Sequence, residues 1–569
     1  MVSRVLAGVA AAAVLLAGCT APESPEQPPG PQSSTSGSST SPSAPPPSAS
    51  ERLGLETGWG PSRRELDRAV RDVRRLSLPQ LAGQVIVARW QGTGAPTRMV
   101  RELHLGGVVA FSANVVSADQ LRRATRTLRR AVRRPWPLLV TVDQEGGRVQ
   151  RVRGQATSYP TFMAAGAAHQ PRLTGRAYAA SGRELRGLGM NVVLAPDTDV
   201  TTGPSDPVIG ARSAGSDPQA VGRQGVAAAE GFLRSGVVPV VKHFPGHGSL
   251  SVDSHLGLPR QTRTRAELGS TDLVPFREAV RAGLPAVMIG HIAVRSWDPG
   301  VPATVSRPVI TDLLRDRLGF GGVVMSDSLE MAALRGPRQP AVGFLRAGGD
   351  VVLMPPDPAL TRDTIVRAVR QGRLTRDRLV QAAARTVALL RHHADRGRSA
   401  PPGSARGVVG ELAAEAVTVV AGRCRGALVE GTVTPLGPPG AVARFRTAAR
   451  AAGMRLGEVH SVKPPRPERT GNKKRDRRRL KQWRRTEPRR VVPGTPVHLV
   501  QPGAAAPGDG VVVALDTPYV LGRSSAPVRV ATYGDAPASM RALVAVLQGR
   551  ARAPGRLPVP VAGVERRGC

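Results

Sequence analysis

The residues best suited to proton transfer lie in one short segment, Lys242–His255. It begins Lys-His-Phe-Pro-Gly-His-Gly and ends Asp-Ser-His. Asp253 precedes His255 by two residues, so its carboxylate can hold one imidazole nitrogen while the other nitrogen faces a bound molecule. An imidazole with an ordinary pKa of about 6.5 accepts and releases protons close to neutral pH. The spacing therefore predicts an acid/base pair.

The same segment holds three histidines, which raises the alternative of a metal site. Zinc-protease spacing needs two histidines four residues apart on one helical face, with Glu beside the first. His243 and His247 have this separation, but Pro245 and Gly246 break a helix between them and no Glu follows. The chain has three cysteines, too few for a multi-cysteine zinc site. We therefore expect no metal, and we expect His247 to tether the loop through hydrogen bonds.

These residues need a rigid scaffold, and the pattern from about residue 63 to about residue 394 predicts one. Short apolar runs alternate with stretches typical of amphipathic helices, for example Ala118–Arg133, Pro218–Ser235 and Thr311–Leu318. The predicted strands are Gln84–Ala88, Gly107–Phe111, Leu138–Asp143, Asn191–Ala195, Val237–His243, Ala286–Gly290, Gly322–Ser326 and Asp350–Met354. Parallel strands buried on both faces have such continuous apolar runs. Eight strand–helix units predict an α/β fold, a (β/α)8 TIM-type barrel, in preference to a doubly wound sheet.

Polar side chains recur where these predicted strands end. In a barrel of this kind, catalytic groups come from the carboxyl ends of the strands and the loops that follow. The strand-end residues are Asp143, Asp197, Asp199, Lys242, His243, His291 and Asp327. Carboxylates and cationic side chains bind sugar hydroxyls through charge-assisted hydrogen bonds, and glycoside cleavage needs a nucleophile or base opposite a proton donor. The convergence of both kinds of group predicts carbohydrate chemistry, with Asp327 held by a rigid strand.

Four separated blocks of sequence carry a resemblance to a known family. They are Asp143–Val149, Pro207–Ser213, Lys242–Gly248 followed by Asp253–His255, and Ser326–Met331. These blocks are similar, in the right order, to signature blocks of family 3 glycoside hydrolases of the β-N-acetylglucosaminidase branch. The similarity runs from about residue 80 to about residue 355, which is nearly the whole predicted barrel.

The resemblance implies a role for each matching residue. Asp327 matches the nucleophile of a retaining reaction, and His255 matches the general acid/base with Asp253 as its partner, where a two-carboxylate pattern would have Glu. The residues implied to hold the hydroxyls and N-acetyl group of the terminal sugar are Asp143, Arg151, Arg212, Lys242 and His243. Members of this branch remove terminal N-acetylglucosamine from cell-wall fragments without a metal or organic cofactor. The expected partners are therefore N-acetylglucosamine-containing glycans or muropeptides.

Three alternatives stay open on the sequence. A β-glucosidase or β-xylosidase would keep the fold and change the sugar. A phosphorylase would benefit from a histidine acid/base, which places less negative charge beside an incoming phosphate. A catalytically silent wall-binding lipoprotein would use the barrel cleft as a lectin, but the intact Asp327, His255 and Asp253 argue against it.

The N-terminus has the pattern of a targeting segment. Arg4 is followed by the apolar run Val5–Leu16, which is too short to span a bilayer, and then by Ala17, Gly18 and Cys19. This pattern resembles the lipobox of bacterial lipoproteins, which implies a signal peptide at 1–18 and a lipid on Cys19. We expect a protein anchored by lipid on the extracytoplasmic face of the cell membrane, or partly secreted. Residues 19–55, mostly Pro, Ser, Gly and Thr, are expected to form a disordered tether.

The remaining domain boundaries follow from the strength of the strand patterns along the chain. The catalytic barrel is expected at 56–400, and weaker strand patterns predict a smaller C-terminal α/β domain at 401–569. The predicted strands there are Val417–Ala421, Val497–Gln501, Val511–Leu515 and Val528–Ala531. Cys424 and Cys569 could pair, but the sequence does not show whether they reach each other.

The chain carries a net charge of +38, and its densest basic block is the insertion 463–490. This block holds 14 Lys and Arg against Glu468, Asp476 and Glu487, a surplus of 11 positive charges (14 − 3). Blocks of like charge are usually solvated loops, which is the first interpretation. The alternative is an arm that contacts an anionic surface of lipid headgroups or wall polymers. Trp483 is the one aromatic residue of the block, so base stacking and a nucleic-acid partner have little support.

Overall fold

The computed structural model describes residues 46–463, 466–468, 470, 472–487, 489–565 and 567–569. The predicted signal peptide, Cys19 and most of the predicted tether lie outside the described residues. The chain divides into two compact units, Met1–Pro47 and Ser48–Cys569, and all the elements below belong to the second. Among the described residues, no helix has both the length and the apolar character needed to cross a bilayer.

The folded unit begins before residue 55, the predicted end of the tether. Ser50 is fully buried, and its N–H and its hydroxyl both donate to Asp67 Oδ1 at 2.8 Å. Leu55 is 1% exposed and belongs to the main hydrophobic core. The prediction of a disordered tether is therefore wrong for residues 48–55. Its last residues carry an apolar anchor and a hydroxyl, which are enough to fix them against the barrel.

Parallel strands form the centre of the fold. They are β1 (Ile86–Arg89), β2 (Gly107–Ala110), β3 (Leu139–Val142), β4 (Val192–Val193), β5 (Val238–Pro239 with Val241–Phe244), β6 (Ala286–Ile289), β7 (Val323–Ser326) and β8 (Val352–Leu353). Nearly every residue in them is buried, because helices cover one face and the barrel interior the other.

The strands close into a barrel. Strands β8, β1, β2, β3, β4 and β5 are neighbours in one parallel sheet, and β5, β6 and β7 are neighbours in a second. Strand β5 joins the two sheets, since its first part pairs with β4 and its second part with β6. A parallel bridge between Met325 and Val351 links β7 to β8 and completes the ring. The predicted (β/α)8 barrel is confirmed, and each predicted strand overlaps an observed one.

Helices surround the barrel. They are α1 (Arg63–Arg74), α2 (Leu78–Gln84), α3 (Thr97–Glu102), α4 (Ala118–Ala131), α5 (Phe162–Ala168), α6 (Pro171–Gly187), α7 (Pro218–Arg234), α8 (Arg265–Ser270), α9 (Val274–Arg281), α10 (Pro340–Arg346), α11 (Pro358–Arg370) and α12 (Arg376–Ala394). A π-helix spans Pro308–Arg317, and 3-10 turns span Glu51–Leu53, Ser112–Asn114, Gly210–Arg212, Ala303–Val305 and Ala332–Leu334. The sequence sets several starts directly, as in the capping box of Ser62 and Glu65 at α1.

A buried carboxylate braces the end of the barrel opposite the strand-end polar residues. Asp350, just before β8, lies 2.7 Å from Arg315, 3.0 Å from Arg378 and 3.1 Å from Arg385. Burial alone would raise the pKa of Asp350, but the three guanidinium groups outweigh it and lower the pKa. This ion cluster fastens the π-helix and α12 to the strands.

The C-terminal part is a smaller α/β domain, as predicted. Its sheet has the order β9 (Thr418–Ala421), β13 (Val528–Ala531), β12 (Val511–Ala514), β11 (Thr495–Val500) and β10 (Val433–Leu436), with β9 antiparallel to β13 and the other pairs parallel. Its helices are α13 (Arg406–Ala416), α14 (Pro439–Ala451), α15 (Lys473–Arg485) and α16 (Pro537–Leu547), and a 3-10 helix spans Pro518–Arg523. Cys424 and Cys569 form a disulfide with a Cα–Cα distance of 5.4 Å, so the two residues do lie close enough to pair.

The sheet of this domain lies between two hydrophobic cores. One of its faces packs with α14 and α16 around Phe445 and Leu543. Side chains on its other side, among them Val512, Leu521 and Tyr533, belong to the same continuous core as the barrel. The backbone carbonyl of Tyr533 also accepts hydrogen bonds from both the N–H and the hydroxyl of Thr161 in the barrel. The two domains therefore share one interior.

The basic insertion is not a plain loop. Its ends form a short antiparallel hairpin, His460–Val462 with Arg489–Val491, and its centre is helix α15. The first interpretation, a solvated loop, differs from the structure in these regular elements, although no residue of α15 is buried. Asn472 caps the helix by accepting from the N–H of Arg475, and long Arg and Lys side chains are good helix formers when their charges can spread into solvent.

Candidate active site

The strand-end polar residues converge at the carboxyl end of the barrel. Asp143 follows β3, Lys242 and His243 lie on β5, and Asp327 follows β7. Arg212 reaches the same place from the 3-10 turn after β4. The peptide bonds Ala195–Pro196, Lys242–His243 and Phe244–Pro245 are cis. The five predicted sugar-binding residues thus form one connected cluster around the strand ends, through contacts described next.

Glu145 lies at the centre of this cluster. It is 3% exposed, it accepts two hydrogen bonds from Arg212 at 2.8 and 2.9 Å, and it lies 2.5 Å from Lys242 Nζ. Burial alone would raise the pKa of Glu145, but the two cations outweigh it and lower the pKa, so the group is ionised. Glu145 lies inside the block Asp143–Val149 but is not among the predicted site residues. Its position two residues after the strand-end residue Asp143 is the signal that the sequence offers.

Lys242 connects Glu145 to Asp143. Its ammonium lies 3.0 Å from Asp143 Oδ1, and burial, which lowers its pKa, is outweighed by the two carboxylates, which raise it. Arg151 lies further off, with 3.9 Å between its guanidinium and Asp143 Oδ2, and it also stacks over the Phe111 ring at 5.4 Å. Charged donors and acceptors therefore alternate along this wall, as the recognition of sugar hydroxyls requires.

A second network orients His243. Its Nδ1 lies 2.7 Å from Asp199 Oδ2, and Asp199 Oδ1 accepts from the backbone N–H of His243 and of His247. Burial lowers the pKa of His243 to about 4, so the ring is neutral near pH 7. The network assigns the proton to Nδ1, which leaves Nε2 as the acceptor facing Arg212 at 3.3 Å. Asp199, a predicted strand-end residue that is not among the predicted sugar-binding residues, is the group that fixes this tautomer.

Asp197, Asp199 and His243 form a group that could offer three ligand atoms, all within 4.8 Å of one another, to a metal ion. Two contacts disfavour a cation here. His243 Nδ1 already bonds Asp199, and a guanidinium nitrogen of Arg212 lies 3.2 Å from Asp197 Oδ2. A metal ion bound here would have to break the hydrogen bond between His243 and Asp199, and it would be repelled by the positive charge of Arg212. These residues fit a hydrogen-bonded network better than a metal centre.

The carboxylate of Asp327 is ionised and accepts a hydrogen bond from the backbone. The N–H of Ser328 donates to Asp327 Oδ1 at 2.7 Å. Burial alone would raise the pKa of Asp327, but His291, His243, this N–H and the Lys242 ammonium outweigh it and lower the pKa. Because His243 is itself neutral near pH 7, the N–H and the ammonium are the partners that persist there. Asp327 therefore keeps a negative charge, with no ion-pair partner in direct contact among the residues that the structure describes.

His291 supports the loop that carries this carboxylate. Its Nε2 bonds the backbone oxygen of Ser328 at 2.8 Å, and its Nδ1 bonds the hydroxyl of Thr304 at 2.5 Å. The ring is fully buried, and burial lowers its pKa. A neutral ring that donates from Nε2 and accepts at Nδ1 satisfies both contacts. His291 is thus a positioning residue for the segment after β7.

The predicted acid/base pair is formed and faces solvent. His255 Nδ1 lies 2.7 Å from Asp253 Oδ1, which also accepts from the backbone N–H of His255. The side chain of His255 is 66% exposed, so its Nε2 is free to face a bound substrate. Burial alone would raise the pKa of Asp253, but these hydrogen bonds and the nearby imidazole outweigh it and lower the pKa.

The loop between β5 and His255 is anchored at its base. Gly246 has φ of +124°, and a Cβ placed there would lie 2.6 Å from the Cβ of Asp272, so only glycine fits. His247 Nε2 bonds the hydroxyl of Ser254 at 3.1 Å, as expected of a tethering residue. The base of the loop is buried and fixed, whereas its tip with His255 extends into the cavity.

A cavity of about 740 Å³ lies beside this pair and is lined by both domains. Glu145, Arg212, Asp253 and His255 come from the barrel; Tyr519 and Arg523 come from the C-terminal domain. An ion pair of 2.8 Å between Arg148 and Asp516 joins the two sides. The C-terminal domain therefore forms part of the wall next to the site, which the sequence did not indicate.

Replacing Glu145 by Gln should weaken substrate binding. The amide keeps the shape of the side chain but removes the charge that holds Arg212 and Lys242, and hydrogen bonds to charged groups contribute about 1.5–3 kcal/mol each. We expect kcat/KM for the glycoside that the sequence resemblance implies to fall about 10- to 100-fold, mainly through KM. As a control, Glu102→Gln removes an exposed carboxylate paired with Arg98 and should change kcat/KM by less than about twofold. Equal kinetics for the two variants would contradict the central role of Glu145.

The chain is similar to one protein-family model and to curated relatives of one kind. The model of the glycosyl hydrolase family 3 N-terminal domain matches residues 78–389. The chain is 37% identical over 283 residues to β-hexosaminidase A of Pseudoalteromonas piscicida, in a match covering 46% of this chain and 47% of that relative. It is 42% identical over 261 residues to β-hexosaminidase of Alkalilimnicola ehrlichii, covering 44% of this chain and 73% of that relative. The chain thus spans about half the length of the first relative and about three quarters of the second.

Two solved structures superpose on this chain. A family 3 β-N-acetylglucosaminidase from Paenibacillus superposes with a TM-score of 0.73 at 28% identity, over 86% of this chain and 100% of that chain. LpqI of M. tuberculosis superposes with a TM-score of 0.53 at 32% identity, over 57% of this chain and 96% of that chain.

Proposed function

The chain belongs to glycosyl hydrolase family 3, in the branch of the β-hexosaminidases, and on that premise we propose that it is a retaining exo-hydrolase that releases terminal β-linked N-acetylglucosamine from cell-wall fragments. One observation carries the proposal. An anionic carboxylate, Asp327, and a hydrogen-bonded acid/base pair, His255 with Asp253, lie at the same end of one barrel on separate loops. A two-step displacement at a sugar carbon needs these two groups, one as the nucleophile and the other as the general acid/base.

Binding of the terminal sugar falls to the charged cluster. Asp143 and the ammonium of Lys242 offer an acceptor and a donor side by side, and Arg212 and the neutral ring of His243 continue the wall. Arg151 has a free guanidinium edge, since its nearest carboxylate is 3.9 Å away. These side chains hold the sugar hydroxyls and the N-acetyl group and place the anomeric carbon in front of Asp327.

Cleavage then proceeds in two steps. Asp327 Oδ attacks the anomeric carbon while the imidazolium of His255 gives its proton to the leaving glycosidic oxygen, which forms a glycosyl ester and a free alcohol. In the second step the neutral imidazole takes a proton from water, the water oxygen attacks the same carbon, and Asp327 leaves as a carboxylate. Asp253 keeps the imidazole in the orientation that faces the glycosidic oxygen.

One arginine in the wall of the cavity favours an acidic leaving group, such as that of a cell-wall fragment. Arg523 lines the cavity and forms no ion pair within the part of the chain that the structure describes. The carboxylates of a muropeptide's peptide stem, which belong to the leaving group, would bring negative charge to this guanidinium. A neutral aglycone would gain nothing from it.

A panel of substrates tests the proposal. We expect hydrolysis of an aryl N-acetyl-β-glucosaminide to exceed that of the matching aryl β-glucoside and β-xyloside by at least about 100-fold in kcat/KM, because only the first can use the N-acetyl contacts. Purified muropeptides should release N-acetylglucosamine. A preference for the glucoside or the xyloside, a sugar 1-phosphate formed in phosphate buffer, or muropeptide binding without turnover would each replace the proposal by the corresponding alternative.

We also propose that the protein works on the extracytoplasmic face of the cell membrane, held by a lipid on Cys19. The support is the N-terminal pattern of Arg4, the apolar run Val5–Leu16 and the small residues before Cys19. Fractionation of cells that express Cys19→Ala should find the protein released from the membrane fraction. Unchanged retention would contradict a lipid anchor at this residue.

A further inference from the structure

The two faces of helix α15 differ sharply. Asp476, Leu480 and Trp483 recur at intervals of four and three residues and are half-buried, whereas every other residue of the helix is exposed. This spacing places the three side chains on one face. The helix therefore has an inner and an outer side, although its composition is almost uniformly basic.

The inner face is occupied by the segment before the helix. Asp476 accepts hydrogen bonds from the N–H of Thr470 at 2.9 Å and from its hydroxyl at 2.8 Å. The Lys463 ammonium lies 4.6 Å from the centre of the Trp483 ring. The one carboxylate and the two apolar side chains longer than alanine in α15 lie on this face, so the outer face retains only cations.

The outer face is a patch of cations two rows wide. At 3.6 residues per turn its members fall within an arc of about 140°. They are Lys473, Arg477 and Arg484 in one row and Lys474, Arg478, Lys481 and Arg485 in the other, and all are exposed. Among the described residues, none of them forms an ion pair with a carboxylate. We call this set the basic face.

The basic face is held away from the rest of the protein. The hairpin His460–Val462 with Arg489–Val491 connects α15 to the C-terminal domain, and all three residues of its first strand are exposed. No residue of α15 is buried, and none of the helix lines the cavity beside the active site. The helix is 13 residues long, about 20 Å, so the face is wide enough to meet an extended surface.

We propose that the basic face is a docking surface for a bilayer rich in anionic phospholipid. The charges are spread over two rows along the whole helix, which suits the flat array of headgroups on a bilayer. A single linear polyanion would need only one row of cations. With no apolar side chain on the outer face, binding is electrostatic and peripheral, without insertion into the acyl region. The inference is independent of the glycosidase activity.

Vesicle binding by the full chain tests this inference. Cys19→Ala is present in every protein, so that a lipid on that residue does not contribute. The chain should cosediment with vesicles of equal parts phosphatidylglycerol and phosphatidylcholine, and not with pure phosphatidylcholine. Raising the salt from about 0.1 M to about 1 M should release it, because screening shortens the reach of the charges from about 10 Å to about 3 Å.

Matched variants separate the basic face from the overall charge of the protein. Lys474→Gln, Arg478→Gln and Lys481→Gln together should lower the partition coefficient about 100-fold, since each cation near an anionic surface contributes about a factor of five. Arg123→Gln, Arg126→Gln and Arg130→Gln remove the same charge from the exposed side of α4 and should lower it less than about threefold. Both triple variants should keep the melting temperature of the parent.

Three outcomes would overturn the inference. The first is an absence of binding to the anionic vesicles. The second is an equal loss of binding in the two triple variants, which would assign the effect to net charge. The third is that a soluble poly(glycerol phosphate) chain binds the basic face while the anionic vesicles do not, which would assign the surface to a linear wall polymer.

Discussion

Replacing Asp327 by Asn should abolish turnover of an aryl N-acetyl-β-glucosaminide and leave the fold intact. The amide oxygen can still accept from the N–H of Ser328, which lies 2.7 Å from the carboxylate, so the local structure is preserved. The amide is a far weaker nucleophile than the carboxylate and forms no glycosyl ester. We expect kcat to fall by about four orders of magnitude or more, measured by release of the aryl alcohol.

The control for this variant is Asp312→Asn. Asp312 is half exposed on the π-helix that precedes β7, where it pairs with Arg307 at 3.0 Å. Its replacement should change kcat by less than about twofold, as expected for an exposed ion pair. Near-normal release of N-acetylglucosamine by Asp327→Asn, at an unchanged melting temperature, would rule out Asp327 as the nucleophile.

Replacing His255 by Ala should slow cleavage to a degree that depends on the leaving group. A positioned general acid contributes about 10²- to 10⁴-fold when the leaving oxygen needs a proton. We therefore expect a loss of that size in kcat/KM for a disaccharide or an alkyl glycoside. A nitrophenyl glycoside, whose phenolate leaves without a proton, should lose much less in the step that forms the intermediate.

The chain offers a matched pair for the control. His498 on β11 and Asp509 form another His–Asp contact, 3.0 Å long, in the C-terminal domain. His498→Ala should leave the dependence on leaving group unchanged. If His255→Ala slows all leaving groups equally, His255 only supports the loop and another group supplies the proton. Asp253→Asn should move the dependence in the same direction as His255→Ala, but less, because the imidazole stays in place.

The barrel could be predicted from the sequence because its strands are buried on both faces. Such strands have short runs of Val, Ala, Leu and Ile that stand out from the amphipathic helices between them. Strand-end positions then follow from the order of the elements alone. This is why Asp143, Lys242 and Asp327 could be placed at one end of the barrel before any coordinates were known.

The contacts within the site could not be predicted in the same way. Glu145 and Arg212 are 67 residues apart in the chain, and Asp199 and His243 are 44 apart. Which carboxylate bonds which cation depends on side-chain reach across neighbouring strands, and a sequence pattern does not encode that reach. The roles of Asp327, His255, Asp253 and the sugar-binding residues stay predictions until the variants are measured.

Charge density misled the interpretation of the insertion. A surplus of like charge favours a solvated loop, and the net charge of the block hides the arrangement that permits a helix. Asp476 and Trp483 fall on one face, where they bind Thr470 and Lys463. A helical-wheel count of the block, and not its composition, was the signal that could have revealed α15.

The interior shared by the two domains makes them inseparable as modules. The superposition with LpqI of M. tuberculosis covers 57% of this chain and 96% of that chain. In this chain one flank of the barrel is built to meet Val512, Leu521 and Tyr533. A cut after residue 400 would leave an open apolar surface, and the isolated barrel would be prone to aggregation. The C-terminal domain has thus become an obligatory part of the folding unit, and a change in one domain will alter the stability of both.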